Sequence, residues 1–403
     1  MNILQINTIY KLASTGRTTF ELDNYLKKTG HNSFVAASTD IETKGSYYKI
    51  GGELGKKVHA LLSRASGLQG YFSSFSTLQL INYIKKNNID IVHLRVVHSN
   101  YLNISLLLNF MAKKKIPVVV TLHDCFFYTG KCCHYTVDGC YKWQSECGDC
   151  IRWKRDNKSW FFDRTRKMFR DKRKSFSKID RLAVIGVSKW IAGEAKKAVI
   201  FKDATIIKHI YNWVDLSIFK PINDDALRVR LKLENKFVIL GVASGWSEVK
   251  GLGAFLEISE KLDESFQIIL IGDMPDKSSL PKNILSVSKT DDVSELVRYY
   301  SMADCFLNLS LEETFGKVTA EALACGTPAI VPNSTASPEL IGDNCGYVAG
   351  KNSTDEIIEK IMLIRKNEKE YYSDSCRSFA CENFDADKNS AEYLELYNSL
   401  YKK

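Results

Sequence analysis

Residues 312–331 read EETFGKVTAEALACGTPAIV, and their order decides the fold. Two carboxylates, Glu313 and Glu321, lie on either side of a break at Phe315 and Gly316. Val318, Ala320, Ala322, Leu323 and Ala324 then form the small, apolar run of a packed helix. Gly326, Thr327 and Pro328 stop that helix before a buried strand, AIVP. A helix starting near Gly316 presents N–H groups with no intrahelical partner, and the positive end of its dipole, beside Glu313. Such an end suits an anion, phosphate above all. Glu321, about one turn further in, can accept hydrogen bonds from hydroxyls on whatever the phosphate carries. Glutamates are equally common on solvated helices, so the surrounding chain has to choose between the two readings.

Working outward, helix-then-strand is the unit of the whole chain. Runs rich in Val and Ile recur at NILQINT, NSFVAAS, DIVHLR, IPVVVTLH, LAVIGVS and TIIKHIYNWV in the first half, and at FVILGVAS, FQIILIG, CFLNLS and PAIVPN in the second. Each is followed by a segment of helical period. Strands apolar on both faces that alternate with helices predict parallel, doubly wound sheets. The fold class is therefore α/β, with two Rossmann-like domains, which agrees with a length of 403 residues. The expected division is 1–205, 206–385 and a last helix, 386–403, packing back on the first domain through Tyr393, Leu394, Leu396, Tyr397, Leu400 and Tyr401. Ligands sit at the carboxyl ends of such strands, so two facing domains would hold a ligand in the cleft between them.

No run of 18 apolar residues exists, and MNILQINTIY is too short and polar for a signal peptide. A cytoplasmic protein is expected, in which eleven cysteines are thiols or metal ligands rather than disulfides. The net charge of +9 is unevenly spread: residues 1–205 hold 34 Lys and Arg against 16 Asp and Glu, and the remainder 22 against 31. Much of the excess lies in 153–181, where basic residues alternate with Trp153, Trp160, Phe161, Phe162, Phe169 and Phe176. As a helix this segment could lie on an anionic membrane surface. Nucleic acid would satisfy the same charge, and a core-facing aromatic stripe under a solvated basic face is the third reading.

Six cysteines fall between Cys125 and Cys150. Cys132, Cys140, Cys147 and Cys150 form a C-x7-C-x6-C-x2-C set whose closing pair is a frequent zinc half-site, and a structural zinc is expected there, with Cys133 and His134 as substitute ligands. An iron–sulfur cluster, disulfides in an oxidising compartment and free thiols are the alternatives. His123 ends an apolar strand, so its side chain should reach the cleft; a satisfied core histidine is the ordinary explanation of such a residue.

The chain resembles glycosyltransferase family 4, retaining enzymes of the GT-B fold. The landmarks are STGRT with Gly16, TGHNSFVAAS, TLHD at Thr121–Asp124, VSKW at Val187–Trp190, NWVD at Asn212–Asp215, VKG at Val249–Gly251, and EETFGKVTAEA. The resemblance implies that Glu313 approaches the donor sugar and that backbone N–H groups from Phe315 through Gly316 and Lys317 to Val318 hold its diphosphate. It further implies that Glu321 binds the ribose and that Lys250, before Gly251, neutralises the diphosphate. Gly16 is counted with the donor-binding group. His123 would position the sugar and stabilise developing charge, with Asp124 fixing its orientation or starting the next loop. Attack on the same face of the sugar, with the departing phosphate taking the acceptor's proton, needs placement and electrostatics more than a base. With no DxD signature near the donor motif, no cofactor is expected for catalysis.

Two positions depart from the family's pattern. Ser244 stands where many relatives have a second diphosphate-clamping arginine, for which Arg17 is a substitute, and Trp213 replaces a common glycine. A similar cysteine set occurs in a subgroup that builds bacterial surface polysaccharides. The implied function is transfer of a sugar from a UDP- or GDP-linked donor to a saccharide or lipid-linked saccharide. Its setting would be lipopolysaccharide, capsule or exopolysaccharide synthesis, on the inner face of the cell membrane and without a nucleic-acid partner. A nucleotide-sugar epimerase and a non-catalytic saccharide-binding protein of the same fold are the rivals.

Overall fold

The computed structural model describes residues 1–402 apart from 224, 279, 291, 351 and 352. Two compact units result: Met1–Tyr211 with Asp387–Lys403, and Asn212–Ala386.

The first unit is built on a seven-stranded, all-parallel sheet of strands β1 (Asn2–Ile9), β2 (Asn32–Thr39), β3 (Tyr47–Lys49), β4 (Ile91–Leu94), β5 (Val118–Leu122), β6 (Leu182–Gly186) and β7 (Ile206–His209). Their order is β3-β2-β1-β4-β5-β6-β7. Every residue of β4, β5 and β6 is buried, as strands covered by helices on both faces must be, which is why they read as continuous apolar runs. The order reverses between β1 and β4, a switch point at whose carboxyl end this architecture places ligands. Because β7 pairs with β6, the unit runs to Tyr211, past residue 205.

The closing helix, Ala386–Tyr401, lies in the first unit from Asp387 onward. Tyr393, Leu396, Tyr397 and Leu400 are its buried face, a helical stripe. Two tyrosines of that stripe reach polar groups of the sheet. The Tyr397 hydroxyl is 2.7 Å from His93 Nδ1, His93 Nε2 is 2.7 Å from Thr121 Oγ1, and Thr121 Oγ1 is 2.8 Å from the Tyr393 hydroxyl. Burial, reinforced by the positive charge of Arg95 nearby, pushes the His93 pKa well down, so this network is neutral.

The second unit has a six-stranded parallel sheet: β8 (Phe237–Gly245), β9 (Phe266–Asp273), β10 (Ile284–Val287), β11 (Cys305–Leu307), β12 (Ala329–Pro332) and β13 (Gly346–Ala349), in the order β10-β9-β8-β11-β12-β13. The stretch 312–331 runs from the carboxyl end of β11 through the helix Lys317–Ala324 into β12. Arg377, on the helix Glu370–Asn383, donates to Ala324 O at 2.9 Å and Phe219 O at 2.6 Å. A cation thus meets the carbonyl end of Lys317–Ala324, where the dipole favours it.

Segment 153–181 is helical only over Thr165–Phe176. Phe169 and Phe176 are buried there, while Trp160, Phe161 and Phe162 precede the helix and are exposed. The segment therefore divides its aromatics: those at helical spacing fill the core and the consecutive ones face out. No helix among the described residues is long and apolar enough to cross a membrane.

Candidate active site

In the second unit, Gly316 is the N-cap of Lys317–Ala324 with φ 93°, a left-handed conformation that favours glycine. The first intrahelical bond runs from Thr319 N to Gly316 O at 2.9 Å, so the leading amides of Lys317 and Val318 lie ahead of the hydrogen-bond ladder. Asn308 holds this start in place: its Nδ2 donates to Thr319 Oγ1 at 3.1 Å, and its Oδ1 accepts from Ser310 N at 3.2 Å. Phe315 is buried against Phe384 at 5.4 Å, edge to face, which anchors the turn from below.

Glu313 leads into that turn. Its amide donates to Thr335 Oγ1 at 2.9 Å and its carbonyl accepts from Ala336 N at 3.2 Å. The side chain meets Lys250 Nζ at 2.6 Å, with the lysine 34% and the glutamate 16% exposed, so water screens this pair only in part. Lys250 ends a short 3-10 turn, Glu248–Lys250, followed by Gly251 at φ 79°. A Cβ on Gly251 would come within 2.5 Å of Leu309 O. The glycine thus brings the Lys250 turn against the chain leaving β11, which is what sets lysine and glutamate side by side. Glu321 is buried and accepts from the Tyr300 hydroxyl at 3.1 Å. Burial and the Glu321 charge hold the Tyr300 pKa well above its usual value, so it remains a donor. Ser244 is exposed and Trp213 is buried.

In the first unit, His123 directly follows β5. Arg95, directly after β4, is 1% exposed and donates from Nε to His123 Nε2 at 3.2 Å, from Nη1 to Gln5 Oε1 at 3.0 Å and from Nη2 to Thr18 Oγ1 at 2.9 Å. A donor at Nε2 leaves the ring proton on Nδ1. Arg95 escaped the sequence reading although DIVHLR carries the same signal as IPVVVTLH, a polar residue at the end of an apolar strand. Asp124 starts the next loop: Oδ1 accepts from Phe126 N at 2.8 Å and Oδ2 is 2.8 Å from His98 Nε2. Burial opposes both charges, yet their mutual attraction outweighs it, raising the His98 pKa and lowering that of Asp124. STGRT lies in the first turn of the helix Ala13–Lys28. Gly16 is buried within it, where a Cβ would lie 3.1 Å from Ile9 Cγ2, so its smallness seats the helix start on the end of β1. Arg17 is half-buried in the same turn.

The cysteine loop also belongs to the first unit. Cys132, Cys140, Cys147 and Cys150 line one small cavity, with Trp143 and Thr165 among its walls. Cys132 Sγ and Cys150 Sγ are 3.8 Å apart. Cys133 instead turns to His98, at 3.9 Å from Nε2, and with Asp124 forms a group whose ligand atoms all lie within 4.8 Å of one another.

Comparison with known proteins places these features in a family. Residues 15–218 match the model described as Glycosyltransferase Family 4, about half of the chain, and residues 235–367 match that described as Glycosyl transferases group 1. N-acetyl-alpha-D-glucosaminyl L-malate synthase of Bacillus anthracis is 28% identical over 53% of this chain and 58% of its own length. Alpha-monoglucosyldiacylglycerol synthase of Acholeplasma laidlawii is 23% identical over 85% of this chain and 82% of its own. Among solved structures, HepE of Anabaena in complex with UDP superimposes with a TM-score of 0.66 at 15% identity, covering 99% of this chain and 100% of that one. With two Rossmann-like parallel-sheet units of the GT-B type and family matches on both, the chain belongs to glycosyltransferase family 4.

Proposed function

We propose that the protein is a retaining glycosyltransferase that moves a sugar from a UDP- or GDP-linked donor to a lipid-linked saccharide in the synthesis of a bacterial surface polysaccharide. The observation that carries the donor half is the Lys250–Glu313 pair at the Gly316 helix start, 2.6 Å from nitrogen to oxygen. One cation and one carboxylate beside leading helix amides match a diphosphate bearing a sugar: amides and lysine for the phosphates, glutamate for sugar hydroxyls. In the ground state the two side chains neutralise each other. A donor's phosphate competes for the lysine and frees the carboxylate for the sugar. As the glycosidic bond breaks, negative charge grows on the leaving phosphate, and one preorganised donor there contributes on the order of 3 kcal/mol. Glu321, held by Tyr300, accepts from the ribose. His123, with its proton on Nδ1, donates to a sugar hydroxyl. The departing phosphate takes the acceptor's proton, so no protein base is called for. Support for the nucleotide comes from the structure of Anabaena HepE, which was solved in complex with UDP.

The lipid-linked acceptor and a peripheral place on an anionic membrane rest on a face of the first unit. The helix Glu53–Ser66 buries His59 and Ser63 and exposes Leu54, Val58, Leu61 and Leu62. These four stand at i, i+4, i+7 and i+8, an apolar stripe turned outward. Trp160 N donates to Arg64 O at 2.7 Å, which ties the exposed Trp160, Phe161 and Phe162 to the same helix, and Lys57 and Arg64 are exposed along it. Outward apolar residues with aromatic rings and basic neighbours fit the interface of an anionic bilayer. The name of the Acholeplasma relative, a glucosyldiacylglycerol synthase, is in keeping with a lipid product for that protein.

Glu313→Ala and His123→Ala are expected to lower turnover at least about 100-fold, the scale of a lost transition-state contact, with unchanged circular dichroism. Wild-type turnover in both would reject the site. Incubation with donor alone, followed by NMR, separates the rival enzyme class: an epimerase consumes donor with no acceptor present, whereas the transferase leaves it intact.

A further inference from the structure

The loop that begins two residues after His123 has a problem of its own. Between 125 and 150 the chain forms a single three-residue 3-10 turn, Lys142–Gln144, among the described residues. Yet Phe126, Phe127, Tyr128, Tyr135 and Trp143 are all buried. A loop this long without secondary structure needs an internal fastening. Four cysteines line a cavity where that fastening would sit, and the sulfurs of two of them, Cys132 and Cys150, are 3.8 Å apart. The cavity lined by Cys132, Cys140, Cys147 and Cys150 is about 20 Å³, room for one small ion or one water and nothing larger.

We propose that Cys132, Cys140, Cys147 and Cys150 bind one zinc ion as a structural tetrathiolate site that fastens this loop. The separation of 3.8 Å between Cys132 Sγ and Cys150 Sγ equals the edge of a tetrahedron with zinc–sulfur bonds of about 2.3 Å. It is almost twice a disulfide bond of about 2.05 Å. Outer contacts of the kind that hold metal ligands are in place. Gly130 N donates to Cys147 Sγ at 3.1 Å, and Cys150 N donates to Asp163 Oδ2 at 2.7 Å. Lys142 Nζ donates to Gly148 O at 3.1 Å and Asp149 O at 3.0 Å, pinning the turn between Cys147 and Cys150. Gly130 has no substitute, because a Cβ there would meet Thr165 Cβ at 2.8 Å and Cys147 Cβ at 3.1 Å.

The neighbouring group of His98, Asp124 and Cys133 is the weaker rival: there the 2.8 Å contact between His98 Nε2 and Asp124 Oδ2 already occupies the two best ligand atoms with each other.

Elemental analysis of the full chain, purified without a metal-affinity tag, tests the site. About one zinc per chain is expected in the wild type and in Cys133→Ser, and at least a tenfold loss in Cys147→Ser. Because Cys147→Ser could fail to fold, the wild type is also stripped with a chelator: its melting temperature should fall and recover on adding zinc, and cobalt in place of zinc should give the absorption of a tetrahedral thiolate complex. Absence of stoichiometric zinc together with no cobalt uptake would overturn the proposal. So would iron with visible absorption, a Cys132–Cys150 disulfide by mass spectrometry, or zinc that is kept in Cys147→Ser and lost in Cys133→Ser.

Discussion

Arg95 is the side chain that most constrains what His123 can do. A buried guanidinium keeps its charge under almost any burden, even though burial lowers its pKa, and three hydrogen bonds fix its orientation. A fixed donor at Nε2 means that His123 cannot also be protonated there. With Nε2 accepting from Arg95, Nδ1 is the ring atom that can donate to a hydroxyl. Nitrogen-15 NMR at neutral pH should show the Nδ1–H tautomer in the wild type and a mixture of tautomers in Arg95→Gln. An imidazolium, or an Nε2–H tautomer, in the wild type would contradict this. His123 was legible because one apolar strand ends on it. Of the two readings of Asp124, the loop start is the one its contact with Phe126 N supports, while its partner His98, from 26 residues upstream, was not legible from adjacency in sequence. The glycine after Lys250 marks a place where backbone comes close, and the group that its lack of a Cβ admits is Leu309 O.

At the scale of elements, the interior strands were plain and three edge strands were not. β3, β10 and β13 escaped, and all three lie at sheet margins. Edge strands are short and covered on fewer sides, so they lack the two-faced apolar run that marked β4, β5 and β6. The helix Glu53–Ser66 shows a different limit. Its apolar spacing is in the sequence, but periodicity tells which residues share a face and not which way that face points. Here His59 and Ser63 are buried, with His59 Nδ1 2.7 Å from Ser73 Oγ, and the leucines are turned out. Transferring a leucine from water to the acyl boundary contributes roughly 2 kcal/mol. The paired variant Leu54→Glu, Leu61→Glu should therefore lower binding to anionic vesicles at least about tenfold in a sedimentation assay at low salt. Wild-type protein that stays in the supernatant, or a variant that pellets equally, would remove the membrane from the account.

For the whole molecule, length and alternation sufficed for two parallel sheets, and the motif order for the family. The boundary near 205 fell short because the last strand of the first sheet, β7, has only half-buried residues and passes without a polar break into the connector. The asymmetry of charge, basic in 1–205 and acidic beyond, follows the division into units: the exposed basic and apolar face is in the first, and the cluster proposed to receive the donor is in the second. The proposed function stands on the Lys250, Glu313, Gly316 and Glu321 cluster receiving a nucleotide diphosphate. Calorimetric titration with UDP, GDP, ADP and dTDP tests it most directly, on the wild type and on Lys250→Ala and Glu321→Ala. One nucleotide is expected to bind the wild type, and each variant to bind it at least about tenfold more weakly, or about 1.4 kcal/mol. Equal affinity in all three proteins, or no binding of any of these nucleotides to the wild type, would contradict it.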